Sequence, residues 1–342
     1  MVGSASAPIP SFRAAHLVPY VGFLRGVGTP VDRLLSRARL PTLFEDDLQA
    51  YLPLLPAIDF LATASRLEGI EELGLAAARH ASVSDLSPRF LGAVAAAPSL
   101  LVALEAYCWM GSLENTSVRF WLQCEAHRVK ACAALLAPGR PEGRRSAEWS
   151  QNVTLVAVVR AFAGPRWCPA EMAFTSRSPV GRAAAEQFPN TRFLLGQRYT
   201  WIDLPRALLS VPLTGAGFGA PRSPVDEAGS GGGFSASLKQ LLRPYLRDGY
   251  PHLELAAEIA GTSVRTLQRR LERAGLSYST LVQQVRFDAA RRLLEDPDVK
   301  MIDVAYDLGW SSPTAFTRAF RHLAGVSPRE YRHDQLTRRQ VA

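Results

Sequence analysis

Residues 255–271 read LAAEIAGTSVRTLQRRL, and residues 304–321 read VAYDLGWSSPTAFTRAFR. Laid over each other, Ala257 falls on Ala305 and Gly261 on Gly309, a shift of 48; Leu267 falls on Phe316, a shift of 49. Each copy reads as a short apolar helix, a Gly turn and a second helix opened by Ser263 or Ser312. The second turn holds one extra residue. Every residue type has a mechanical reason. Ala257 and Ala305 are small where two helix axes cross, and the two Gly suit a turn whose backbone strains any other residue. Ser263 and Ser312 are natural N-caps, the latter followed by Pro313 at the first helical position. Leu267 with Leu271, and Phe316 with Phe320, are spaced to fasten the second helix of each copy to a core. The repeat predicts two helix-turn-helix motifs in one all-α domain.

The faces left over carry Arg265, Gln268 and Arg269 in the first copy and Thr314, Thr317 and Arg318 in the second. Arg pairs with guanine O6 and N7, Gln with adenine N6 and N7, and Thr meets a thymine methyl or a phosphate. One Arg-rich helix face alone is as readily a solvated surface; two copies, each with cap, turn and anchor, favour a DNA groove. Between them Ser279 to Leu294 has Leu281, Val285, Ala289 and Leu293 at helical spacing, and Asp296-Pro297-Asp298 ends it. Such a helix is about 24 Å long at 1.5 Å per residue. A spacer of that size suits recognition helices near the ~34 Å repeat of successive major grooves, with DNA bending taking up the remainder.

Charge agrees. The chain of 342 residues carries a net +8, and from Phe234 onward 17 Lys+Arg stand against 12 Asp+Glu, so positive charge is densest where the repeat lies. Only three of the 39 basic residues are Lys, so Arg abundance alone argues little. Hydrophobic content of 47% and charged content of 20% are those of a globular protein. The apolar stretch from Leu91 to Leu104 is broken by Pro98 and Ser99 and falls short of the ~20 residues of a membrane span. Met1 to Pro10 lacks a basic segment and an apolar core, so no secretory signal is read and a cytoplasmic protein without membrane contact is expected.

Thr214 to Gly233 reads TGAGFGAPRSPVDEAGSGGG, a composition too poor in apolar area to order itself. The expected organisation is a mixed α+β domain over 15–213, a flexible linker over 214–233, and the DNA-binding domain over 234–336. Within the first domain, Leu73 to Arg79, Pro98 to Gly111 and Trp149 to Phe162 have helical patterns. Ser117 to Leu122 and Arg128 to Leu136 alternate as strands around Glu125-Ala126-His127, a hairpin. Glu171 to Thr175, Arg192 to Leu195 and Tyr199 to Ile202 read as further strands, the last followed by a helix opened by Pro205.

No nucleophile elbow, phosphate loop or HExxH occurs, and none of the six His pairs at helical spacing. Cys108, Cys124, Cys132 and Cys168 show no CxxC and no ligand spacing, so they read as structural thiols. Neither metal nor cofactor is expected. Five of the six Trp (109, 121, 149, 167 and 201) lie in this domain, where they serve core packing more readily than a ligand pocket.

The C-terminal hundred residues resemble the DNA-binding domain of the AraC/XylS family of bacterial transcription regulators. Gly309, Ser311, Phe316, Arg318, Phe320, Gly325, Ser327-Pro328 and Tyr331-Arg332 carry the likeness; Trp310 stands where Phe or Tyr is usual. The resemblance implies a seven-helix, two-lobed domain, with Arg265, Gln268, Arg269, Thr317 and Arg318 at its base-reading positions. Less specifically, Gly164 to Pro169, Phe174 to Pro179, and Phe193 through Leu204-Pro205 to Leu209 and Pro212 resemble the effector domain of the ornithine-utilisation-regulator type. The strand-dense Gly/His pattern of a sugar-binding cupin is not seen.

These readings predict a sequence-specific transcription regulator, an activator in expectation, that binds promoter DNA and answers to a small-molecule effector. RNA polymerase is the expected further partner; monomer or homodimer stays open. Two alternatives are weighed. The first domain could be a dimerisation or partner-binding module without ligand. An alkyl-transfer enzyme fused to the same DNA-binding domain needs an activated Cys whose spacing is absent, so no enzyme is expected.

Overall fold

A computed structural model describes residues 8–79, 88–137, 139–213, 233–249 and 251–341. The linker read at 214–233 lies, except for Gly233, outside the described residues. The chain divides into two compact units: one from Pro10–Leu40 and Leu52–Ser230, the other from Pro41–Tyr51 and Gly231–Ala342, to which Ile9 also belongs.

The first unit is α+β. In chain order it holds β1 (Ser11–Arg13), α1 (Val18–Gly26), α2 (Val31–Arg37), β2 (Tyr51–Pro53, entering from the other unit), α3 (Leu54–Leu67), α4 (Leu73–Ala78), α5 (Pro88–Ala95) and α6 (Leu100–Glu114). There follow β3 (Val118–Cys124), β4 (Arg128–Leu135), α7 (Pro141–Ala163), β5 (Glu171–Ala173), α8 (Arg182–Gln187), β6 (Arg192–Leu194) and β7 (Thr200–Pro205). Among the described residues five strands make one sheet in the order β3-β4-β7-β5-β6. The expected hairpin is there: β3 runs antiparallel to β4 with Phe120 opposite Ala133. Strand β4 also pairs antiparallel with β7, Ala131 facing Ile202 and Cys132 facing Trp201. Because side chains alternate across a strand, those two pairs go to opposite faces. Ala131 and Ile202 join the main core with Trp149, Val156 and Phe162 of α7, while Cys132 and Trp201 join a smaller cluster with Trp121 and Tyr199. The helix expected after Pro205 is a short 3-10 helix, Arg206–Ser210, with Leu208 and Leu209 packed partly buried against the main core.

Helix α7 is longer than its apolar stretch suggests. It starts at Pro141, and its first half buries polar side chains, Arg145, Ser146, Glu148, Gln151 and Asn152. Each has a hydrogen-bond partner, although Arg145 Nε and Nη1 and Asn152 Oδ1 are buried without one. Arg145 pairs with the buried Glu72 at 3.3 Å and lies 4.0 Å over the Phe174 ring, and Glu72 also takes the Gly181 N–H and the Trp149 indole N–H.

The second unit is all-α. It comprises α9 (Phe234–Leu242), α10 (Leu253–Ile259), α11 (Val264–Arg273), α12 (Tyr278–Leu293), α13 (Met301–Asp307), α14 (Pro313–Ala324) and α15 (Pro328–Val341), seven helices among the described residues. α12 is the spacer expected at Ser279–Leu294, capped by Ser277. One core runs through the unit, from Phe234, Leu238 and Leu242 through Leu281 and Val285 to Val304, Phe316 and Phe320. Ile9 and Tyr51 are buried in this same core. The 41–51 segment is held further by Thr42, whose N–H and hydroxyl donate to Asp248 at 2.8 and 2.9 Å, by Asp47 on Arg243 at 2.7 Å, and by Asp46 on Arg247. The reading of an unbroken domain over 15–213 does not contain this excursion; its partners lie about two hundred residues away in sequence.

Candidate nucleic-acid interface and effector cavity

The two turns of the repeat have one geometry. Gly261 N–H donates to Glu258 O and Thr262 N–H to Ala257 O; 48 residues later Gly309 donates to Tyr306 O and Trp310 to Ala305 O, all within 2.9–3.0 Å. Gly261 and Gly309 take φ of 60° and 73°, the left-handed region expected of them. Past the turn, Ser263 Oγ accepts from Thr266 N–H and Ser312 Oγ from Ala315 N–H, so both hydroxyls cap the helices they open. Ala257 and Ala305 are buried where α10 meets α11 and α13 meets α14.

Burial then decides which face each second helix presents. Leu267 and Leu271 of α11, and Phe316 and Phe320 of α14, are at most 1% exposed. In α14 the anchor is an aromatic chain: Phe316 lies 4.9 Å from Trp310 and 5.7 Å from Phe320, which meets Tyr331 edge-on at 5.4 Å. On the opposite faces Arg265, Gln268, Arg269, Thr314, Thr317 and Arg318 are all exposed. Thr317 differs from expectation in one respect. Its hydroxyl donates to Pro313 O at 2.9 Å within its own helix. One further side chain belongs with the set. Arg321 is exposed, three residues past Arg318 and seven past Thr314, a helical spacing legible in the sequence.

The other residues that carry the resemblance shape the helices rather than the exposed faces. Gly325 ends α14 in the left-handed region. Ser327 and Glu330 cap each other at the start of α15, Ser327 N–H donating to Glu330 at 2.6 Å and Glu330 N–H to Ser327 Oγ at 3.3 Å. Those bonds hold the Glu330 carboxyl below its ordinary pKa. Tyr331 accepts from Arg291 at 2.8 Å, and Arg332 donates to Val299 O at 2.6 Å.

The first unit holds a cavity whose empty space, counted out into its open mouth, is about 760 Å³. α3, α6 and α7 together bring more than half of its wall, α7 through Ala147, Ser150, Gln151 and Thr154, one face of a helix by spacing. Tyr107 meets Phe90 and Phe120 edge-on, with centroids 5.3 and 4.8 Å away. His16 Nε2 and Glu114 Oε2 stand 3.1 Å apart on the wall, the carboxylate nearly fully buried. Tyr20 donates to Ser146 O at 2.9 Å. Burial pushes the Tyr20 and Tyr107 phenols well above their usual pKa, with Cys108 and Glu114 adding to the rise at Tyr107; both are neutral donors at pH 7. None of the five Trp of this part of the chain lines the cavity. Trp149 is in the core, while Trp109 is 64% exposed.

Burial raises the thiols of Cys108 to about 11 and Cys132 to about 12, against what an activated nucleophile needs. Among the described residues no group of three or more His, Cys, Asp or Glu is placed to hold a metal ion, and no helix is long and apolar enough to cross a membrane.

Comparison with known proteins places both units. Residues 28–213 match the family model described as the arabinose-binding domain of AraC transcription regulator, N-terminal, and residues 256–334 match a helix-turn-helix domain. The HTH-type transcriptional regulator VirS of Mycobacterium tuberculosis is 24% identical over 327 residues, 94% of this chain and 96% of that protein. The ornithine utilization regulator of Pseudomonas aeruginosa is 35% identical over 83 residues, 24% of each. Among solved structures, transcriptional regulator CdpR from Pseudomonas aeruginosa covers 93% of this chain and 98% of its own at 21% identity and a TM-score of 0.41. The DNA-binding domain of AdpA, solved with a target DNA, covers 32% of this chain and 97% of its own at 30% identity and a TM-score of 0.28.

Proposed function

The chain belongs to the AraC family of transcription regulators, and on that footing we propose that α11 and α14 enter successive major grooves of a promoter while the cavity of the α+β unit takes the effector. The observation that carries the DNA reading is the pairing of two Ser-capped helices, each pinned by two buried side chains, with exposed faces of hydrogen-bonding type. Arg265, Gln268 and Arg269 read bases from α11; Thr314, Thr317 and Arg318 do so from α14, with Arg321 continuing that face. The regulator works in the cytoplasm as an activator, and RNA polymerase is the partner through which it acts. A second copy of the chain is compatible with paired sites.

The test uses a duplex that the full chain itself selects from a random pool. Arg269→Ala and Arg318→Ala are each expected to weaken binding to that duplex about 10- to 100-fold, from about 1–3 kcal/mol per bidentate pair, with circular dichroism unchanged. Binding to unselected DNA should fall far less. Because affinity drops with salt for any cationic protein, the ratio of selected to unselected affinity is the quantity to measure. Two variants that keep the parent's ratio would overturn the assignment.

A further inference from the structure

The charged groups on the cavity wall are spent on one another. Glu114 is the sole acidic and His16 the sole basic residue among its described lining residues, and neither Arg nor Lys is one of them. Their side chains stand 3.1 Å apart, Nε2 against Oε2, so each already faces a partner. A charge brought into such a site needs a partner there to offset the water it gives up. A cation would have to compete with His16 for the carboxylate, and an anion with Glu114 for the imidazole. Uncharged polar groups on the wall are engaged too. Tyr20 donates to Ser146 O, Thr154 Oγ1 to Ser150 O at 2.8 Å, and Asn115 Oδ1 accepts from Ser117 N–H at 3.0 Å. A sugar carries a hydroxyl on nearly every carbon, and few of those would find a hydrogen bond here to replace the ones made with water.

The rest of the wall is largely apolar. α3 supplies Leu54, Ile58 and Leu61, and Tyr107 meets the Phe90 and Phe120 rings edge-on. Cavities lined by Leu, Ile and Phe take up small hydrocarbons with no charged anchor. We propose that this cavity binds a small uncharged apolar molecule, seated against the aliphatic side chains of α3 and the Phe90, Tyr107 and Phe120 rings. The proposal rests on the reading of the α+β unit as an effector domain and names the effector's chemical class.

Equilibrium dialysis of the full chain at pH 7 tests it with four probes: 1-hexanol, hexylamine, hexanoate and arabinose. 1-Hexanol is expected to bind at least tenfold more tightly than hexylamine or hexanoate, which differ from it by their charge, and arabinose not to bind. Ala147→Leu, which fills the cavity from α7, should weaken 1-hexanol binding at least tenfold. Hydrogen exchange on the parent chain locates the site even where that variant does not fold: 1-hexanol should raise protection in α6 and α7. Binding of either ion or of arabinose as tight as that of 1-hexanol, no binding by any probe, 1-hexanol binding untouched by Ala147→Leu, or added protection confined to the all-α unit would each overturn the assignment. The effector reading fails separately. A chain whose hold on its selected duplex responds to some other metabolite, yet binds none of the probes, keeps that reading and loses the apolar class. A chain that binds 1-hexanol in this cavity, yet whose hold on the duplex responds to no ligand of the α+β unit, does the reverse.

Discussion

Gly309 shows how much one position of the repeat must satisfy. Its φ of 73° is open to glycine and strains any L side chain, and a Cβ there would stand 2.9 Å from Arg286 Nη2. That guanidinium donates to Gly309 O at 2.7 Å and lies 5.4 Å over the Trp310 ring, so it braces the turn from α12. Gly309→Ala is expected to destabilise the chain by about 1–2 kcal/mol from the left-handed backbone alone, read as a lower urea midpoint at unchanged slope. An unchanged midpoint would show that the turn relaxes freely. The cysteines make a second residue-scale prediction. Cys124 is exposed, whereas Cys132 is buried with its thiol pushed up to about 12. Iodoacetamide at pH 7.5, followed by peptide mapping, should mark Cys124 and leave Cys132 unmodified while the protein is folded; early labelling of Cys132 would contradict the burial.

At the scale of elements, the two recognition helices are unequal. α11 offers three hydrogen-bonding side chains of Arg and Gln type, anchored by aliphatic Leu267 and Leu271; α14 has two Arg and two Thr, anchored by a run of rings. The repeat and its caps were legible because helix periodicity, an N-cap Ser and a turn Gly are local signals that need no distant partner. The β3–β4 hairpin was legible for the same reason, with three residues between two alternating strands. The neighbours of those elements were not. β4 pairs with β7 some seventy residues later, and nothing in Thr200–Pro205 names that partner. The early turns of α7 were hidden because their buried side chains are polar and find partners, such as Glu72 for Arg145, only in three dimensions. Arg321 lay within the quoted motif, but only the burial of Phe316 and Phe320 fixes the face it shares with Arg318. The cavity had no sequence signature at all, since its wall comes from separate helices and two strands, each contributing one to a few residues.

For the whole molecule, the consequential finding is that the all-α unit takes its core partly from the far end of the chain. Tyr51 and Ile9 are buried with Phe234 and Leu238, and the acidic run at Asp46 and Asp47 meets Arg247 and Arg243. The exposed ion pairs contribute at most about 1 kcal/mol each; the buried ring contributes more. Tyr51→Ala should lower the stability of the DNA-binding unit on the order of 3 kcal/mol, seen as loss of hydrogen-exchange protection in α9 and α12. Protection equal to the parent's would show that the unit is self-sufficient.

The central claim is that this chain holds DNA at two places with two different helices. Methylation-interference footprinting on the selected duplex tests it most directly. Two blocks of major-groove contact are expected on one face, about one helical turn or roughly 10 base pairs apart; Arg269→Ala should erase one block and Arg318→Ala the other. A single block, or two variants that erase the same block, would contradict the account.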